Sequence, residues 1–176
     1  MKAFVKPISG TKNTRANYVR EQSGWLEATT FETVVASTPL ISIDLLVENE
    51  RGEYLLGLRK NRPAQGFWFV PGGRVLKSET LATAFKRLTQ EELGVELERS
   101  QAQFVGLYEH FYDDSVFGGQ SGTHYIVLAH RFKVEQAQIK LGDEQHSKSQ
   151  WVAAEAIHTL NAHGYTRDYF ESHYAR

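Results

Sequence analysis

Leu81, Ala84, Phe85 and Leu88 recur at i, i+3, i+4 and i+7, and Gly94 closes the run. At 100° per residue these side chains share one narrow stripe, so residues 79–93 are predicted to form a helix packed on a sheet. Gly94 stands at the expected cap. Glu92 breaks the pattern, because it falls in the middle of the same apolar stripe. A carboxylate there is costly to bury unless a cation, a proton or a donor meets it; the alternative is a frayed last turn that leaves it in water. Gly72 and Gly73 precede the helix and are expected to form a loop with unusual dihedrals, whose carbonyls turn toward the same point. Carboxylate and carbonyl oxygens together suit a hard cation such as Mg²⁺.

The rest of the chain supplies a sheet for this helix. Leu40–Val47, Tyr54–Leu58, Phe67–Val70, Phe104–Tyr112 and His124–Val134 are rich in strand formers, with turn residues between them. Pro71-Gly72-Gly73 is not expected to continue a ladder. A short helix is predicted over Trp25–Ala36, a last strand near Trp151, and helices over Ala153–Asn161 and Thr166–Tyr174. This order predicts an α/β sandwich, a mixed sheet with helices packed on it. Residues 1–24 are polar and basic and read as an arm outside a domain that spans 25–176. Twenty Lys and Arg against 21 Asp and Glu leave a formal charge of −1, which argues against nucleic acid or a membrane surface as partner. The chain has no cysteine, so thiolate chemistry and disulfides are excluded and a cytoplasmic setting is expected.

Gly73, Glu79, Arg87, Glu91, Glu92, Gly94 and Val95 sit at the spacing of the Nudix box, G-x5-E-x7-R-E-U-x-E-E-x-G-U, and the chain resembles the Nudix hydrolases. The resemblance implies a Nudix-type α/β/α sandwich. One departure stands out: Leu88 and Thr89 occupy the box positions of a Glu and an aliphatic residue. In ordinary Nudix pyrophosphatases that Glu is a principal metal ligand. The departure is similar to the GDP-mannose mannosyl hydrolase branch, as are Asn61-Arg-Pro-Ala-Gln-Gly, His110-Phe-Tyr-Asp-Asp, Thr123-His-Tyr and Asp143-Glu-Gln-His146. That branch hydrolyses GDP-mannose or GDP-glucose to GDP and free sugar, by water attack at the anomeric carbon with inversion.

For this chain the resemblance implies one Mg²⁺ held by the Gly72 carbonyl, Glu92 and Gln145. His146 would be the general base, since a neutral imidazole accepts a proton at pH 7; Glu144 is a second candidate. Arg59 would bind substrate, with Arg74 and Tyr125 beside the leaving diphosphate, a group that suits the planar guanidinium fork. Ser42 and Asp44 alternate onto one side of their strand, which lines a cleft or lies exposed at an edge. The resemblance assigns Asp44 and His110 to sugar hydroxyls, and Trp25, Leu26 and Phe31 to the nucleotide base, in a homodimer that can share its guanine pocket. Arg87 and Glu79 are expected to support the box, and His124 and His130 to be structural. Two other readings share the motif: a Nudix diphosphatase that cuts at phosphorus, and a non-catalytic nucleotide-binding module.

Overall fold

The computed structural model describes residues 26–118, 121–139 and 146–171, the side chains of 146 and 147 excepted. Trp25, Gln145 and the proposed arm lie outside the described residues. Helix α1 (Ala28–Ser37) ends before Pro39 and leads into β1 (Leu40–Glu48). A tight turn follows, in which Asn49 Oδ1 accepts from the backbone N–H of Arg51 and Glu53, both at 2.9 Å. Gly52 sits at φ 78°, and the chain returns as β2 (Glu53–Arg59).

Two short strands, β3 (Trp68–Phe69) and β4 (Gly72–Arg74), lead to helix α2 (Leu81–Leu93). Thr80 caps this helix by accepting from Thr83 N–H, so Glu79 lies just before it. Gly94 ends it in the left-handed conformation at φ 72°, where a side chain would be strained. Strands β5 (Gln103–Tyr112), β6 (Thr123–Lys133) and β7 (His146–Ala153) follow. The expected helix over 153–161 is a 3₁₀ segment, Ala154–Thr159, and among the described residues the last helix is α3, Gly164–Asp168.

The strands form one mixed sheet in the order β3-β2-β1-β6-β5, with β4 also paired to β1 and β7 to β2. Strand β1 runs parallel to β6 along its whole length, from Leu40 beside Tyr125 to Glu48 beside Lys133. Its other edge is shared: β4 takes Ser42 to Asp44, whereas β2 meets it only at Glu48. The sheet forks there, and the fork is where the cleft opens.

This corrects the expectation for Pro71-Gly72-Gly73. Gly72 and Gly73 are strand residues in the ladder with β1, not a loop of unusual dihedrals. Close approach is what requires glycine. A Cβ on Gly72 would lie 2.5 Å from the Ile43 carbonyl oxygen, and one on Gly73 would lie 2.6 Å from Leu88 Cδ2.

One sheet face carries Ile43, Leu45 and Val47, which bury the Ala84, Phe85, Leu88 stripe of α2. Complete burial of a side chain such as Phe85 contributes about 1.5–3 kcal/mol. The opposite face carries Leu46, Ala129 and Val152 against Ile157 and Tyr169 from the C-terminal segments, while α1 packs Phe31 and Val35 on Leu40 and Val127. Helices thus cover both faces. Among the described residues no helix is long and apolar enough to cross a membrane.

Candidate active site

The fork in the sheet gathers Asp44, Arg59, Gly72, His110 and Tyr125 around one cleft. Alternation explains the convergence. Ser42 and Asp44 of β1, Tyr125 of β6 and His110 of β5 sit on the same sheet face, because Tyr125 pairs with both Leu40 and His110. Asp44 therefore lines a cleft and is not an exposed edge residue: it is 7% exposed. The enclosed part of the cleft holds only about 40 Å³, space for a few waters, so a larger ligand must extend out through the mouth.

Burial sets the charges here. Asp44 is pushed up to about 6 by desolvation, which the Tyr169 hydrogen bond and the Arg59 charge partly oppose. His110 is pushed down to about 3, again mainly by burial. Burial thus disfavours a charge on either group, and the His110 imidazole is held in its uncharged, hydrogen-bonding form. Arg59 enters the cleft with Nε donating to the Pro63 carbonyl at 2.9 Å, and its guanidinium lies 5.5 Å from the Phe69 ring centre.

Arg74 is the second cation. It pairs with Ser42 in the ladder and is 7% exposed, with its guanidinium 4.3 Å from the Phe31 ring centre. Its Nε and Nη2 have no hydrogen-bond partner among the described residues. Burial lowers its affinity for its proton, and the neighbouring Tyr125 phenol is pushed upward, so the arginine remains the charged member. A buried guanidinium with open donors is suited to an anion. Phe31, 3% exposed, supports that cation from beneath, and half-buried Leu26 packs beside it.

The box residues divide into two groups. Arg87 grips Glu79 with two bonds, Nε to Oε1 at 2.6 Å and Nη2 to Oε2 at 2.9 Å. It also donates to Glu91 at 3.1 Å and to the Arg74 carbonyl at 2.9 Å. Glu79 accepts from Leu76 N–H as well. These three side chains tie α2 to β4, the supporting role expected for Arg87 and Glu79. Glu92 lies one turn beyond Leu88, whose side chain abuts Gly73, and is therefore on the helix face turned toward β4. It is 7% exposed, so the last turn does not fray into water.

Gly72 carries the other candidate ligand. The bonds Leu45 N–H to Pro71 O and Val75 N–H to Ile41 O bracket the Asp44 and Gly72 pair. Gly72 thus occupies a non-hydrogen-bonded position, with its carbonyl turned away from β1. A carbonyl and a buried carboxylate offer two hard oxygens, which fit a divalent cation of the Mg²⁺ type. Gln145 lies outside the described residues. Of His146 the backbone is described: it pairs with Arg59 across β2 and β7, at the edge of the cleft. His130 is structural, with Nδ1 against the Leu128 carbonyl and Nε2 accepting from Arg99.

The NUDIX domain family matches residues 38–172. The chain belongs to the Nudix family. It is 43% identical over 118 residues to the low-salt glycan biosynthesis protein Agl8 of Haloferax volcanii, a match that covers 67% of this chain and 73% of that protein. Among solved structures, a MutT protein from Methanosarcina mazei Go1 superposes with a TM-score of 0.61 at 28% identity, covering 76% of this chain and 92% of that one. A MutT NUDIX hydrolase from Burkholderia pseudomallei gives 0.63 at 25% identity, covering 78% and 99%. The protein is a Nudix hydrolase, and Nudix hydrolases generally use a divalent metal.

The Nudix motif did not reveal everything around its site. Tyr165 and Tyr169, on and just after α3, hold cleft residues and have no counterpart among the candidate residues read from the sequence. Their i, i+4 spacing was the available signal.

Proposed function

We propose that this Nudix hydrolase acts on GDP-mannose, or its epimer GDP-glucose, and releases GDP and the free sugar with Mg²⁺ as cofactor. The observation that carries this reading is the fate of the box carboxylates. Leu88, 2% exposed, fills with core packing the position of a family metal ligand, while Glu79 and Glu91 are engaged by Arg87. Glu92 is the buried carboxylate on the inward face of the helix, and one such carboxylate beside Leu88 favours a single-metal site over the richer carboxylate set of phosphorus-cutting relatives. The cleft supports the sugar part, since Asp44 and His110 offer polar contacts for hydroxyls beside Arg59, and Arg74, paired with the cleft residue Ser42, adds a second guanidinium suited to a diphosphate. Its relative Agl8, a low-salt glycan biosynthesis protein, accords with a sugar nucleotide as substrate.

In this reading Gly72, Glu92 and Gln145 hold the metal, which when bound neutralises the diphosphate and makes GDP a better leaving group. Arg74 and Arg59 bind the diphosphate, and Tyr125 lies against it. His146 takes a proton from water as the water oxygen bonds to the anomeric carbon. The carbon–oxygen bond to GDP breaks, and its electron pair goes to the diphosphate. Base and leaving group lie on opposite sides of the ring, so the anomeric configuration inverts. Leu26 and Phe31, with Trp25, form the base side of the site.

Incubation with GDP-mannose in H₂¹⁸O tests the reading. Labelled mannose and unlabelled GDP are expected; GMP with mannose phosphate would overturn it in favour of attack at phosphorus. Leu88→Glu, which restores the common Nudix pattern, is expected to yield no GMP. It should cost about 3 kcal/mol or more, because it buries a carboxylate against Phe85 and Gly73. Thermal unfolding and product analysis of that variant check both statements.

A further inference from the structure

The C-terminal turn touches two cleft residues at once. The Tyr169 hydroxyl donates to Asp44 Oδ2 at 2.6 Å and lies 3.3 Å from His110 Nε2. One turn earlier, the Tyr165 ring stacks on the His110 imidazole, with centres 4.1 Å apart and planes 4° from parallel. Tyr165 is itself fixed, since its hydroxyl donates to the Phe111 carbonyl and accepts from Phe111 N–H, both at 2.8 Å. The i, i+4 spacing brings both tyrosines to one side of the turn, and Thr166 and His163 anchor that turn to Trp68.

A phenol has one proton to give. That proton goes to Asp44 Oδ2, because 2.6 Å is the length of a hydroxyl donating to a carboxylate. The Tyr169 oxygen is then an acceptor toward His110, and its partner must be an Nε2–H. We propose that Tyr169 is a positioning residue of the sugar subsite: it bridges Asp44 and His110 and fixes His110 as the Nε2–H tautomer, with Tyr165 holding the ring plane. The inference rests on the reading that Asp44 and His110 face the sugar. A neutral ring in this tautomer keeps its Nδ1 lone pair. Together with Asp44 the subsite then presents acceptors, which suit sugar hydroxyls and disfavour a sugar bearing a carboxylate.

Nitrogen-15 NMR of histidine-labelled protein reads the tautomer directly, without substrate. In the wild type, His110 is expected to show a protonated Nε2 and an unprotonated Nδ1. Tyr169→Phe should lose that pattern and lower kcat/KM for GDP-mannose by roughly 10–100-fold, the scale of a hydrogen bond to a charged group. The Kd for GDP, which lacks the sugar, should stay unchanged. A wild-type His110 protonated at Nδ1 would overturn the proposal even if the variant failed to fold. So would a Tyr169→Phe enzyme with the wild-type spectrum, or one that loses GDP affinity as much as turnover. GMP among the wild-type products would overturn the sugar assignment alone, because the spectrum decides the bridge independently.

Discussion

Replacing His146 with Gln is expected to lower kcat for GDP-mannose by roughly 10²–10⁴, the usual scale for loss of a general base. KM should change little. The groups proposed to bind GDP stay in place: Arg59 is anchored on the Pro63 carbonyl and Arg74 on the Phe31 ring. Backbone pairing of His146 with Arg59 holds residue 146 at the cleft edge, whatever side chain it bears. The loss should therefore fall on proton transfer. Steady-state kinetics with GDP-mannose separate the two parameters. A near-normal kcat would remove His146 from the role and move Glu144 to the front.

The second large effect separates two adjacent carboxylates. Glu92→Gln should reduce activity by at least about 100-fold, more than changes to groups behind a metal ligand usually cost, and should raise the Mg²⁺ concentration needed for half-maximal rate. Glu91→Gln should keep most of its activity. The reason is geometric: Glu91 lies about 100° around the helix from Glu92 and is held by Arg87, which retains its two bonds to Glu79 when Glu91 is changed. Mg²⁺ titrations of both variants check this. Equal losses would mean that Glu92 is not the distinguishing ligand.

The box helix was legible because its information is local. Periodicity of 3.6 residues placed Leu81, Ala84, Phe85 and Leu88 on one face, and Gly94 marked the end, as found. The same arithmetic put Glu92 on the inward side, where it is 7% exposed. Alternation likewise grouped Ser42 with Asp44. Spacing of the box residues pointed to the family that the NUDIX match establishes.

What the local pattern missed depends on distant neighbours. Pro71-Gly72-Gly73 reads as a break, since proline lacks a donor and glycine weakens strands. β1 nevertheless pairs with it, and the absent side chains admit the Ile43 carbonyl and Leu88. Tyr165 and Tyr169 read as tail residues because nothing near them in the chain marks a cleft. Asp44 lies 125 positions from Tyr169, and only the folded sheet brings them to 2.6 Å.

The sequence by itself determined the box helix, the inward place of Glu92, the missing carboxylate at Leu88 and the family. These are properties of spacing along one element, and periodicity carries them. Tertiary structure alone decided that β1 forks between β2 and β4, that Arg74 is buried over Phe31, and that the C-terminal turn closes on Asp44 and His110. Each of these depends on the register between strands far apart in the chain. Register is fixed by the packing of whole faces, which no local pattern contains.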